Sequence, residues 1–204
     1  MKKITLLSVL TIFLFFQKSN SERKAFMINK TIIHQQQDSL AWIQNLKKFK
    51  TAISLNDKNK IKSFFNFPIA NPDNSIWQLI YEDNPKMKEQ LSDKPAPFTE
   101  HDFDKYYNKL FPDKFFNCIS KLKIDELSRK GETETIKFKQ DNFTTYQMYV
   151  TIDSNERILN FALGTHKVVK NKKGEIEDNE EYGTLYIFSI RNGLLKFIGI
   201  RLTA

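Results

Sequence analysis

The sequence has little of what most catalytic and metal-binding templates require. It contains one cysteine, three histidines and six glycines in 204 residues. A single Cys118 excludes an internal disulfide and any cysteine-paired zinc site. Six glycines leave no Gly-rich phosphate loop, and neither His-Glu-x-x-His nor Gly-x-Ser-x-Gly occurs. No apolar run approaches the about 20 residues that a membrane span requires. The formal charge of +8 is spread over scattered lysines without a basic stripe or a nucleic-acid motif, so no nucleic-acid partner is expected. What is abundant is phenylalanine, 18 residues of it, enough for a packed aromatic core without covalent staples. Cys118 lies in the apolar stretch Phe115-Phe116-Asn117-Cys118-Ile119 and reads as a small buried hydrophobe.

The amino terminus has an export pattern. Met1-Lys2-Lys3 is basic, Ile4 to Phe16 is uncharged and apolar, and Ser19 and Ser21 are small residues before Glu22. A buried core helix would show a polar face, and this run shows none. Residues 1–21 are expected to be a cleaved signal peptide, without a lipid-bearing cysteine at the cut. Without Lys2, Lys3 and Lys18 the charge falls from +8 to +5. The expected product is secreted or periplasmic and does not span the membrane. Residues 22–37 show no steady period and read as an arm, and 38–204 as one domain.

Helical periodicity follows. Asp38-Ser39 is an N-cap signal, with Leu40, Trp42, Ile43, Leu46, Phe49 and Ile53 on one face as far as Asn56-Asp57. Asp57 caps a second helix through Ile61, Phe64 and Phe65, ending before Pro68. Asn71 to Ser75 is a turn cluster; Ile76–Tyr81 is short enough to be a strand or a helical turn. Lys94-Pro95-Ala96-Pro97 is a linker. Thr99-Glu100-His101-Asp102 is a capping box before Phe103, Tyr106, Tyr107 and Leu110, and Pro112 opens a helix through Phe115, Phe116, Ile119 and Leu122.

Beyond Gly131 the composition turns to β-branched and aromatic residues. Strands are expected at 133–139, 144–153, 157–169, 182–191 and 194–203, with Asn192-Gly193 the strongest hairpin turn. Helices first and an antiparallel meander last is an α+β layout, N-terminal helices packed on an antiparallel sheet. Both faces of the late strands carry apolar residues. Leu159, Phe161 and Leu163 stand opposite Ile158, Ala162 and Val168; Leu194, Ile198, Ile200 and Leu202 stand opposite Leu195 and Phe197. One helical layer covers one face, so a homodimer formed sheet to sheet, or the arm folded back, is expected to cover Phe161 or Phe197.

The stretches Phe49–Ile53, Asn56–Ile61 and Phe67-Pro68-Ile69, then Phe98–Phe103 with Tyr107–Phe111, then Tyr186–Ser189 with Arg191-Asn192-Gly193 and Leu195–Ile198, resemble the nuclear-transport-factor-2-like, or SnoaL-like, superfamily, in particular its small exported bacterial members. The resemblance spans about Leu40 to Thr203. It implies a curved antiparallel sheet wrapped by helices into a cone. Some such relatives catalyse with Asp, His or Tyr inside the cone, and many are not enzymes. No local motif carries a catalytic residue across.

Five residues remain as pocket-lining candidates. His166, on a strand between Gly164 and Val168, is placed to point into the cone; Trp42, Trp77, Tyr106 and Tyr107 are apolar or amphipathic wall candidates, with plain core positions as the alternative. His34 and His101 read as solvated. The acids of Glu175–Glu181 follow Gly174 rather than surround it, so a solvated hairpin tip is expected there and no calcium site. Asn29 and Asn142 head sequons. No catalytic residue, metal or cofactor is assigned. The expectation is a non-enzymatic binding module for a small ligand or envelope protein; the alternative is a small isomerase, dehydratase or hydrolase working in the cone interior.

Overall fold

The computed structural model describes residues 40–171 and 176–203. The expected signal, the arm, His34, the caps Asp38 and Ser39, the Lys173-Gly174 turn and Glu175 lie outside the described residues. The chain divides after Leu40, and the fold described is that of Ala41–Ala204.

Helix α1 covers 40–54 and buries Trp42, Leu46, Phe49 and Ile53, the three- and four-residue spacing of the sequence. Leu40, expected on that face, is exposed. Helix α2 is Lys58–Lys62, capped by the Asp57 side chain accepting from the Lys60 amide. It is shorter than its pattern. Phe64 and Phe65 are buried but lie past its end, because the chain there bonds to the sheet: the Phe197 amide donates to Phe64 O at 2.8 Å. Ile76–Tyr81 is resolved as helix α3, Ser75–Ile80. Side-chain oxygens decide this: Asp73 accepts from the Ser75 amide and Asn71 from the Ile76 amide, satisfying donors a helix start leaves open.

Two helices carried no sequence signal that was read: α4, Pro85–Glu89, and α7, Ile124–Lys130. Between them, α5 is Glu100–Leu110, with both halves of the Thr99–Asp102 capping box formed. Helix α6 is Asp113–Ser120 with Pro112 at its N-cap; Leu122 lies beyond it. Gly131 ends α7 in the left-handed conformation, φ 79°.

The strands are β1 Glu132–Glu134, β2 Phe138–Lys139, β3 Thr144–Asp153, β4 Ile158–Lys170, β5 Ile176–Arg191 and β6 Leu194–Thr203. The expected strand 133–139 is split into β1 and β2, each pairing with β3. Among the described residues these strands pair antiparallel with one another, and the main path runs β1-β3-β4-β5-β6 without closing; a lone parallel bridge joins Phe65 to Phe197 of β6. The fold is therefore α+β, helices followed by an antiparallel sheet. Asn192 and Gly193 both have positive φ, 51° and 71°, as a type I′ hairpin requires. A Cβ on Gly193 would strike Ala41 of α1, so the turn also needs glycine to seat against that helix.

Alternation sets the two faces of the sheet. Tyr146, Met148 and Val150, then Leu159, Phe161 and Leu163, then Tyr186, Phe188 and Ile190 are buried on the core side. In β6 the expected faces need correction. Phe188 pairs with Phe197 but Ile187 pairs with Gly199, so Ile198 is an extra residue in a β-bulge. The bulge turns Ile200 inward beside Leu195 and Phe197. Phe161 and Phe197, expected to need a second cover, are both buried on the core side; Phe49 of α1 meets Phe161 at 6.3 Å and Phe65, past the end of α2, meets Phe197 at 4.7 Å between centroids.

Candidate functional site

The five pocket candidates do not converge. Trp42 is core in α1. Trp77 and Tyr106 do meet, their rings perpendicular at 5.9 Å, with Tyr81 stacked on Trp77 at 5.9 Å. Trp77 donates its indole N–H to Ala96 O at 2.9 Å, which ties the Lys94–Pro97 linker to α3. Burial, with Tyr106 beside it, raises the Tyr81 phenol; Lys105, then Tyr81, lowers that of Tyr106. Tyr107 turns elsewhere and donates to Asn56 Oδ1 at 2.9 Å, tying α5 to the turn after α1. Burial pushes its phenol up to about 12. These are packing and clamping roles.

His166 is on the opposite side of the sheet from the expected interior. Phe161, Leu163 and Thr165 face the core, so by alternation Ala162, Gly164 and His166 face outward. Glu181 on β5 and Thr145 on β3 are its cross-strand neighbours.

Aromatic side chains fill the interior. Phe111, Phe115, Phe161, Phe188 and Phe197 are fully buried there with Tyr186, whose ring lies 4.5 Å from that of Phe115 and 5.8 Å from that of Phe111. Among the described residues the buried Tyr186 hydroxyl has no hydrogen-bond partner. Burial, then the charge of Glu82, drives its phenol far above its ordinary range. Sequence reasoning passed over it. The available signal was a hydroxyl at an inward position of a strand otherwise carrying Phe188 and Ile190. Cys118 is buried in α6, which raises its thiol to about 11.

A hollow of about 750 Å³ among the described residues is on the outer face of the sheet, open to solvent. Its floor is made by Gly164 of β4 and Gly183 of β5, which pair directly opposite each other and leave bare backbone. Across the strands this row continues to Gln147 of β3 and Thr203 of β6. One flanking row is Tyr149, Ala162 and Leu185; the other is Thr145, His166 and Glu181. From strand geometry the two flanking rows stand about 13 Å apart, and the floor row is about 14 Å long. The glycines differ in need. A Cβ on Gly183 would lie 2.9 Å from Leu163 O, whereas on Gly164 the nearest atom would be Gln147 O at 3.9 Å. Gly183 is required by the backbone, and Gly164 is not.

Gln147 is held in place, donating to Thr135 O at 2.7 Å and Glu134 Oε2 at 3.2 Å. Tyr149 stands half-exposed beside it. Sequence reasoning reached one member of this site, His166, and assigned it to the wrong face. Among the described residues no three His, Cys, Asp or Glu side chains gather to hold a metal ion, and no helix is long and apolar enough to cross a membrane. No family model or curated protein matches the sequence, and no solved structure matches the fold.

Proposed function

We propose that this chain is an exported, non-enzymatic binding module of the cell envelope, built on the nuclear-transport-factor-2-like plan, and that it binds through the outer face of its sheet. The observation that carries this reading is the Gly164–Gly183 pair, which opens a hollow in the middle of the sheet while the interior is filled by rings. Close backbone neighbours require glycine at 183, but a side chain at 164 would meet nothing nearer than 3.9 Å, so packing does not account for the gap there. The module works by presenting a preformed surface, with Gln147 clamped and the floor set by backbone. Thermal-shift screening of the chain against metabolites, glycans and envelope proteins tests it. A ligand whose stabilisation disappears in Gly164→Val is expected; turnover of a small substrate would sink the reading.

The alternative, a small isomerase, dehydratase or hydrolase, has one specific observation on its side: the unpartnered Tyr186 hydroxyl inside the fold. It also needs a second ionisable group beside that hydroxyl, and His166 does not supply it. A two-fold pairing of outer faces competes for the same hollow. The exposed Tyr149 and Ile198 favour it.

A further inference from the structure

We infer that the hollow takes a neutral, hydroxyl-rich ring, a sugar unit of an oligosaccharide; this rests on the outer-face binding reading above. The two flanking rows differ in chemistry. Tyr149, Ala162 and Leu185 make one apolar wall; Tyr149 is 52% exposed, its hydroxyl reaching Gln147 Oε1 at 3.5 Å and its ring facing the hollow. Thr145, His166 and Glu181 make the other wall, with hydroxyl, imidazole and carboxylate groups. A pyranose ring has the matching asymmetry: a face of C–H groups and an edge of hydroxyls. Between the walls the glycine floor lets the ring approach the backbone closely.

Charge narrows the class. The lining carries one lysine, Lys137, and one glutamate, Glu181, so it offers no net field for a polyanion or a polycation. A phosphate or uronate would bring a second negative charge next to Glu181. A neutral diol is instead what a carboxylate with free lone pairs binds, accepting two O–H bonds strengthened by its charge. Among the described residues Glu181 is in no ion pair, unlike its neighbour Glu180, which pairs with Lys167 at 3.0 Å. Thr203 caps one end of the floor with a hydroxyl for a second sugar unit, and Gln147, its Nε2 already donating to Thr135 O and Glu134 Oε2, closes the other.

The experiment is a titration of the ¹⁵N-labelled full chain with chitotriose and with maltotriose, with tri-galacturonate as the acidic control. The amides of Gly164, Gly183 and Thr203 are expected to shift with a neutral trisaccharide. Tyr149→Ala is expected to weaken that binding at least tenfold, and Glu181→Gln three- to tenfold; both positions are exposed, so neither change threatens the fold. Gly164→Val is expected to block it. Binding that ignores Tyr149→Ala, shifts outside the hollow, or tighter binding of the acidic control would each overturn the sugar assignment. If no saccharide binds but another ligand moves the same glycine amides, the ligand class is wrong and the outer-face reading stands. If nothing moves them, and Gly164→Val leaves every binding signal in the thermal-shift screen intact, the outer-face reading itself falls.

Discussion

Replacing Tyr186 with phenylalanine removes one oxygen from the centre of the fold and leaves the ring in place. The ring keeps its neighbours Phe111 and Phe115, so packing is nearly unchanged. What is lost is a hydroxyl that has given up its hydrogen bonds to water and gained none. Leaving such a group unsatisfied costs about 1–3 kcal/mol, so Tyr186→Phe is expected to be the more stable protein by that amount. For a domain of this size, 1 kcal/mol moves Tm by about 2–4 °C. Urea unfolding, with the slope m unchanged, measures the gain directly. The pH dependence provides a second reading. Burial raises the folded phenol above its ordinary value of 10.0, so above about pH 10 the unfolded chain has released this proton and the folded chain still holds it. Stability contributed by the group is complete below pH 10 and falls as pH rises, by about 1.4 kcal/mol per pH unit. Tyr186→Phe is expected to flatten that decline. Tyr107, also raised, keeps part of it. A Tyr186→Phe protein that is less stable by 1 kcal/mol or more at pH 7 would refute the argument. It would show that the hydroxyl is bonded in solution, for example to a buried water.

The two floor glycines separate cleanly. Gly183→Ala is expected to cost about 1–3 kcal/mol through the clash with Leu163 O, and Gly164→Ala to stay within about 0.5 kcal/mol, by urea unfolding. Equal costs would mean the Gly–Gly pairing is misassigned. Gly193→Ala is expected to lose at least about 1–3 kcal/mol from the left-handed backbone alone, with the collision against Ala41 added, and its Tm reports this. Thr99→Ala, which breaks the capping box, is expected to cost about 1 kcal/mol. Cys118 is expected to resist iodoacetamide at pH 8 until the protein is unfolded, since burial both raises and shields its thiol. Amino-terminal sequencing of the secreted protein is expected to start near Glu22; a cytosolic chain beginning at Met1 would refute export.

Much of the architecture is local chemistry, and local chemistry is visible in sequence. The α1 face, the Thr99–Asp102 box, the Asn192-Gly193 turn and the bounds of β3 and β6 each depend on residues within a few positions of one another. Where long-range contacts compete, the sequence pattern misleads. Phe64 and Phe65 continue the α2 periodicity, but the backbone there leaves the helix to bond with Phe197. Ile200 has the spacing of an outward residue, and the bulge at Ile198 turns it inward. His166 stands out in the sequence as a lone strand histidine; its face follows only once Phe161 and Leu163 are known to be the buried set. The sequence by itself determined the aromatic core, the lack of an internal disulfide, and the order of helices before strands. Only the tertiary structure decided that Gly164 meets Gly183, and that Tyr186 is sealed among phenylalanines. Both depend on the register between strands and on helices packed over one face, and no spacing along the chain encodes either.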